Sequence, residues 1–284
     1  MAKPQERLIR NISDTALWVA VFRARETERT HALFRDPFAR KLAGQRGEQI
    51  AEGMQAGLRY EWPYTARTIR FDQMVTEQIK QGADLVINLA AGLDTRPYRM
   101  DLPTSLQWVE ADLPEMIDYK EQMLAGEKPR CALERVRLNL SDVGARRELF
   151  QRLGSSARKV LVLTEGLLVY LTRDEVSALA CDLASQSSFK DWTIDLCSPG
   201  LLKMLQKNLG ALSEAGSPLK FGPEEGPDFF SATGWKAVEV YSMLKTAASI
   251  NRLPFFLRLM ALLPESNGRQ GSRPWGAVCH LTRM

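Results

Sequence analysis

Residues 84–99 read DLVINLAAGLDTRPYR. Asp84 to Ile87 carry most of an apolar run of the kind buried on both faces of a parallel sheet, and Gly92 marks a turn near its end. A dinucleotide-binding turn places three glycines here, because backbone amides must close on a pyrophosphate. This stretch has one, followed by an acid, a hydroxyl and a base in Asp94, Thr95 and Arg96. It asks for a ligand that needs a tight turn but no phosphate cradle.

Beyond this stretch, short apolar runs alternate with helical patterns. The runs are DLVINLAAG (84–92), LQWVEAD (106–112), RVRLNL (135–140), KVLVLTEG (159–166) and WTIDLCS (192–198). Between them PEMIDYKEQMLAG, SDVGARRELFQRLG and TRDEVSALACDLASQ have helical periodicity. Strand, crossover helix and strand in repetition predict a parallel sheet with right-handed connections. WKAVEVYS and WGAVCHLTRM supply two further strands, and LPFFLRLMALLP between them reads as an apolar helix packed on the sheet or on a partner subunit.

The first 80 residues read as helix, with Pro37 opening one helix, Gly44 ending it and Gly82 closing another. Residues 199–234, rich in Gly and Pro, read as an insertion able to form part of a lid. The expected organisation is one α/β domain. It has a helical cap (1–82), a cofactor-binding core (83–198), the insertion (199–234) and C-terminal strands with a helix (235–284).

With 284 residues, 45% of them apolar and 25% charged, the chain suits one elaborated soluble domain. A net charge of +4 is small for this length, and the basic runs Arg23–Arg25 and Arg146–Arg147 read as solvated helix faces. A nucleic-acid partner is therefore not indicated. Neither a signal peptide nor an apolar run near the ~20 residues of a membrane span is visible. The four cysteines, Cys131, Cys181, Cys197 and Cys279, lack metal-ligand spacing and read as reduced, mostly buried thiols of a cytoplasmic protein.

Ligands of open parallel sheets bind beyond the carboxyl ends of the strands. Those ends read Ala91-Gly92-Leu93-Asp94, Glu110-Ala111-Asp112, Asn139-Leu140 and Glu165-Gly166. Asp112 lies 20 residues after Gly92, where nucleotide-binding folds place the acid that accepts from ribose hydroxyls. That pairing fits NAD or S-adenosylmethionine. The single glycine favours S-adenosylmethionine, whose amino-acid tail carries no phosphate and needs polar partners instead. A plain strand–turn–helix with acids capping helices is the competing reading.

INLAAGLDTRPYR, VEADLPEMIDYK, TEGLLVYL and the upstream TALWVAVFRARETER and FRDPFARKLAG resemble the leucine carboxyl methyltransferase-type family. This family includes bacterial class I S-adenosylmethionine-dependent O-methyltransferases, and the resemblance runs from about residue 13 to the chain end. It implies a Rossmann-like class I methyltransferase sheet, mostly parallel, with seven strands and the last antiparallel. It also implies that Gly92 passes close to the methionine part of the cofactor, and that Asp112 and Leu113, in the D-x-P motif, hold the ribose side. Arg67, in ARTIRFD, resembles an arginine that reaches the cofactor carboxylate, a natural bidentate pair. Asn139 and Leu140 fall where the family has Asp-Leu beside the adenine, with an amide here in place of the acid. Glu165 matches an acid near the methyl-transfer region, and Tyr170 either a tyrosine near the substrate cavity or a core tyrosine. Asp94 and Arg96 read as bracing the turn, or Asp94 as capping the next helix, rather than as ligand contacts.

Methyl transfer from a sulfonium needs neither a metal nor an acid to free the leaving group. A carboxylate acceptor is already ionised at neutral pH and needs no base, whereas a phenol or alcohol wants one. His31 belongs to the N-terminal helical region and His280 to the final strand, where it reads as a satisfied core residue. Glu165 beside a sulfonium is a poor base. The expectation is therefore methyl transfer to a small-molecule carboxylate, with no membrane or nucleic-acid partner. The alternatives are a nicotinamide-dependent oxidoreductase, or a non-catalytic module that binds S-adenosylmethionine. A nucleobase acceptor is disfavoured, because neither a Pro-Pro-aromatic signature nor a Pro-Cys nucleophile follows the fourth strand.

Overall fold

β1 (Leu85–Leu89) is buried at every position and pairs in parallel with β2 (Gln107–Asp112) on one side and β4 (Val160–Thr164) on the other. It is the centre of a seven-stranded sheet in the order β3-β2-β1-β4-β5-β7-β6. β3 (Ala132–Arg137) extends the sheet in parallel beyond β2, and β5 (Phe189–Cys197) beyond β4. β7 (Gly276–Arg283) runs antiparallel to both β5 and β6 (Trp235–Ser242), so the last strand alone is reversed, as expected. The computed structural model describes residues 13–53, 61–208, 218–264, 271 and 273–284; the parts of the expected cap and lid at 1–12, 54–60 and 209–217 lie outside them.

Helices cover both faces of the sheet. α1 (Ser13–Thr27), α2 (Ala39–Gly53) and α3 (Trp62–Lys80) precede β1, and Phe71 and Val75 of α3 pack against Val86, Trp108, Leu161 and Val278. The opposite face is covered by α6 (Val143–Ser156) and α7 (Arg173–Ala184), through Phe150, Leu153 and Leu179 against Val162, Trp192 and Ile194. α7 starts at a capping box in which Thr172 Oγ1 accepts the Glu175 N–H and Glu175 accepts that of Thr172. The remaining crossovers are the short α4 (Arg96–Arg99) and α5 (Pro114–Met123).

Gly44, non-helical at φ 56°, ends the first helical segment of α2 as expected, and a second segment follows it directly to Gly53. Other local expectations need correction. The third strand is Ala132–Arg137 rather than 135–140, so Asn139 and Leu140 lie in the following loop. LPFFLRLMALLP is not one apolar helix: its Leu253 is buried against Ala66 of α3 and Ala247, with Leu257 and Ala261 packed beside them. It folds into a 3-10 turn, Phe255–Leu257, and one helical turn, Arg258–Ala261, that leave Phe255, Leu259 and Leu262 at 85%, 76% and 80% exposure. No helix among the described residues is long and apolar enough to cross a membrane.

Candidate active site

The strand order reverses between β1 and β4, which opens a crevice at their carboxyl ends. The turn leaving β1 has Ala90 at φ 52° and Gly92 at φ 49°. The left-handed region is uncommon for a residue with a side chain, and such strain gathers at ligand sites. The Ala90 N–H donates to the Ala111 carbonyl at 2.8 Å, and the Gly92 N–H to Asp112 Oδ2 at 2.6 Å. The Leu113 N–H donates to the other carboxylate oxygen at 2.7 Å. Burial raises the Asp112 pKa above its ordinary value, against the pull of those two N–H groups.

Asp94 and Arg96 brace this turn. Asp94 Oδ2 accepts from Asn88 Nδ2 and from Arg96 Nη1, each at 2.8 Å, while Asp94 Oδ1 accepts the Arg96 N–H at the start of α4. Burial works against the Asp94 charge, but the Arg96 guanidinium holds its pKa down to about 2. Both bracing roles expected for Asp94 are thus combined, and both residues also line the crevice.

On the other side, Arg67 reaches from α3 over the end of β4. Its Nε donates to Glu165 Oε1 at 3.0 Å and its Nη1 to Asp195 Oδ2 at 3.1 Å. The other Glu165 oxygen lies 2.8 Å from Arg96 Nη1, so Glu165 sits between two arginines. Asp195 Oδ1 accepts the Gly166 N–H at 2.7 Å. Burial opposes the Arg67 charge, yet Asp195 and Glu165 raise its pKa overall.

Arg67, Gly92, Asp112, Leu113, Asn139, Leu140, Glu165 and Tyr170 all line one cavity of about 810 Å³. Asn139 is exposed and turned partly onto its own loop, its Oδ1 accepting from the Ser141 N–H and Oγ. The Leu140 carbonyl accepts from Arg146 Nη1, which fixes this rim. Tyr170 is half-buried in the 3-10 turn after β4, and burial raises its phenol pKa.

Sequence reasoning missed Asp195 and Arg23. An acid inside the apolar run WTIDLC of a central strand is the signal that could have found Asp195. Arg23 is no solvated face residue: its Nη2 donates to the Leu93 carbonyl at 2.6 Å and its Nε to Asp36, which ties α1 to the cofactor turn. Arg146 is likewise buried, paired with Asp182, and only Arg147 of that run is exposed. His31 lies in the loop after α1, exposed, rather than in a helix. His280 is a buried core residue, with Nε2 3.1 Å from Asp191 Oδ1 and 3.2 Å from Gln78 Nε2.

Residues 16–184 match the family model described as leucine carboxyl methyltransferase. A Frankia alni protein is 29% identical over 84% of this chain and 87% of its own length. A Parafrankia protein is 31% identical over 84% of this chain and 81% of its own. Both carry the provisional name of an S-adenosyl-L-methionine-dependent methyltransferase. Among solved structures, one from Thermobifida fusca, provisionally named a methyltransferase, superposes with a TM-score of 0.59 at 16% identity, covering 98% of this chain and 96% of its own. A Streptomyces avermitilis protein of the duf574 family superposes at 0.56 with 12% identity, over 93% and 96%. These likenesses show the same fold.

Proposed function

This chain belongs to the leucine carboxyl methyltransferase family and is an S-adenosylmethionine-dependent methyltransferase, and we propose that it methylates an oxygen, that of a carboxylate, on a small-molecule acceptor. The residues of the cavity fit the cofactor. Each Asp112 oxygen holds one backbone N–H and keeps a further lone pair, so the carboxylate would accept from ribose hydroxyls. Arg67 has donors beyond its two carboxylate bonds and would hold the carboxylate of the methionine part. Leu113, Asn139 and Leu140 would border the adenine, and the left-handed turn at Gly92 would pass beside the amino-acid tail. A volume of about 810 Å³ lies within the ~300–1,000 Å³ of ligand cavities.

When bound, S-adenosylmethionine supplies a methyl carbon on a cationic sulfur that leaves as a neutral thioether. The protein then has to hold the acceptor oxygen in line, within about 3–3.5 Å of that carbon, and keep water out. Glu165 and Tyr170 line the same cavity and would position the acceptor.

The observation that carries the carboxylate reading is the lack of a free base. Among the described residues lining the cavity there is no histidine or lysine. Arg96 holds Asp94 ionised down to about 2, Glu165 is engaged by Arg67 and Arg96, and Asp195, whose pKa burial raises, is engaged by Arg67 and the Gly166 N–H. Burial pushes the Cys197 thiol up to about 12, where it is no proton acceptor. An acceptor that arrives already ionised needs none of these groups as a base.

The test uses methyl-labelled S-adenosylmethionine with matched panels of carboxylic acids and phenols. A methyl ester loses its label as methanol in mild alkali, and a methyl ether does not. Alkali-labile product is expected; alkali-stable label on a phenol or alcohol would overturn the carboxylate assignment. The free cysteines support a reducing, cytoplasmic setting, and the small net charge supports an acceptor other than nucleic acid.

A further inference from the structure

The cavity has two chemically distinct parts. Its charged part is built from Arg67, Asp94, Asp112, Glu165 and Asp195 at the strand ends. Its other part draws on α8 (Pro199–Asn208), a helix none of whose residues is buried. Leu201, Met204, Leu205 and Asn208 recur at helical spacing, so one stripe of α8 lines the cavity. Phe256, Leu257 and Met260 line it as well.

Part of this apolar lining is exposed, while Leu205 and Leu257 also pack against the core. Met204 is 43% exposed and Met260 50%, and Phe255, Leu259 and Leu262 continue the surface outward. Such a patch on a soluble domain marks a binding surface, and here it is continuous with the cavity lining. Methionine is suited to a wall that must adapt to a flexible chain.

We propose that the acceptor is an amphiphile: its oxygen-bearing head sits at the charged strand ends, and a long alkyl chain lies along α8 and Phe256–Met260 toward the surface. The identity of the head rests on the methyl-transfer reading above. The tail rests on the apolar wall alone. Covering Met204 and Met260 removes apolar surface from water, so affinity grows with chain length until the wall is filled.

The test titrates the full chain, loaded with S-adenosylhomocysteine, with straight-chain carboxylates from butanoate to tetradecanoate below their micellar concentrations. A parallel series uses the matching alcohols, and tryptophan fluorescence reports binding. Affinity is expected to rise about two- to fourfold per added methylene and then level off. Met204→Asp and Met260→Asp, at exposed positions, are expected to flatten that rise, while Leu262→Ser leaves it unchanged. No dependence on length in either series overturns the proposal, even if short acids are methylated. A rise confined to the alcohols keeps the tail site and removes the carboxylate head. A rise that Leu262→Ser abolishes and Met204→Asp leaves intact would make the patch a membrane or self-contact surface and overturn it.

Discussion

The Gly92 backbone N–H donates to Asp112 Oδ2 at 2.6 Å, which ties the end of β1 to the end of β2 across the mouth of the cavity. One hydrogen bond thus fixes both the turn and the acid expected to hold the ribose. The spacing of 20 residues visible in the sequence is the length of one strand–helix–strand step that brings the two together.

Gly92→Ala should damage this turn through its backbone rather than through crowding. A Cβ at this position would meet only the Ala16 Cβ at 3.4 Å, an ordinary contact, but φ is 49°. The left-handed conformation costs a side-chain-bearing residue roughly 1–2 kcal/mol. A lower melting temperature and at least about tenfold weaker S-adenosylmethionine binding are expected, the latter corresponding to about 1.4 kcal/mol. Thermal unfolding and calorimetry measure the two.

Cofactor binding should weaken in acid earlier than an ordinary aspartate would dictate. Burial raises the Asp112 pKa, and only the ionised carboxylate accepts from both ribose hydroxyls. Affinity should therefore fall as pH drops through that raised value. Asp112→Asn should bind weakly throughout and lose the pH dependence. Calorimetric titrations of both proteins over a range of acid pH test this.

Asp94 has the opposite sign. Its folded-state pKa is depressed to about 2 from 3.8, so its contribution to stability is complete above the unfolded value and is lost as pH falls toward 2. Asp94→Asn should therefore narrow its stability deficit relative to the native protein across that window. Urea unfolding at a series of pH values reads the difference; a deficit constant with pH would contradict the ion-pair assignment.

Glu165→Ala leaves Arg67 and Arg96 without the carboxylate between them. Because Arg67 keeps Asp195 and Arg96 keeps Asp72 and Asp94, the loss should be partial, up to roughly 3 kcal/mol. Cofactor affinity and methyl transfer should both fall. Glu165→Gln, which retains hydrogen-bond acceptance, should recover more stability than activity.

His280→Gln should change stability alone. His280 is buried near Asp191, Gln78 and Thr193, well within the sheet, and does not line the cavity. A loss of about 1–3 kcal/mol in unfolding free energy is expected with kcat unchanged. A large fall in kcat would give this histidine a catalytic role that the geometry does not.

The parts of the fold legible in the sequence are those whose pattern is local. β1 and β4 are short runs buried on both faces, and the capping box at Thr172 and Glu175 sits at the start of α7. β3 lies three residues earlier than its apolar pattern indicates, because ALERVR, on the sheet edge, mixes charged and apolar residues while the following residues are more apolar. The strand-end residues could be read because the topology carries each of them to the same rim. Arg23 and Arg146 could not, since what buries them is a partner elsewhere in the chain: the Leu93 carbonyl and Asp36 for one, Asp182 for the other. Asp195 differs: an acid within the apolar run WTIDLC marks it in the sequence, and only its partner, Arg67 from a helix 128 positions away, is not legible there.

The central claim is that the strand-end cavity is a site for S-adenosylmethionine organised around Asp112. Calorimetric titration of the native chain and of Asp112→Ala, each with S-adenosylmethionine and with NADH, tests it most directly. Saturable S-adenosylmethionine binding at one site, lost in Asp112→Ala, and no binding of NADH are expected. Tight NADH binding without an S-adenosylmethionine signal, or undiminished S-adenosylmethionine binding by Asp112→Ala, would contradict it.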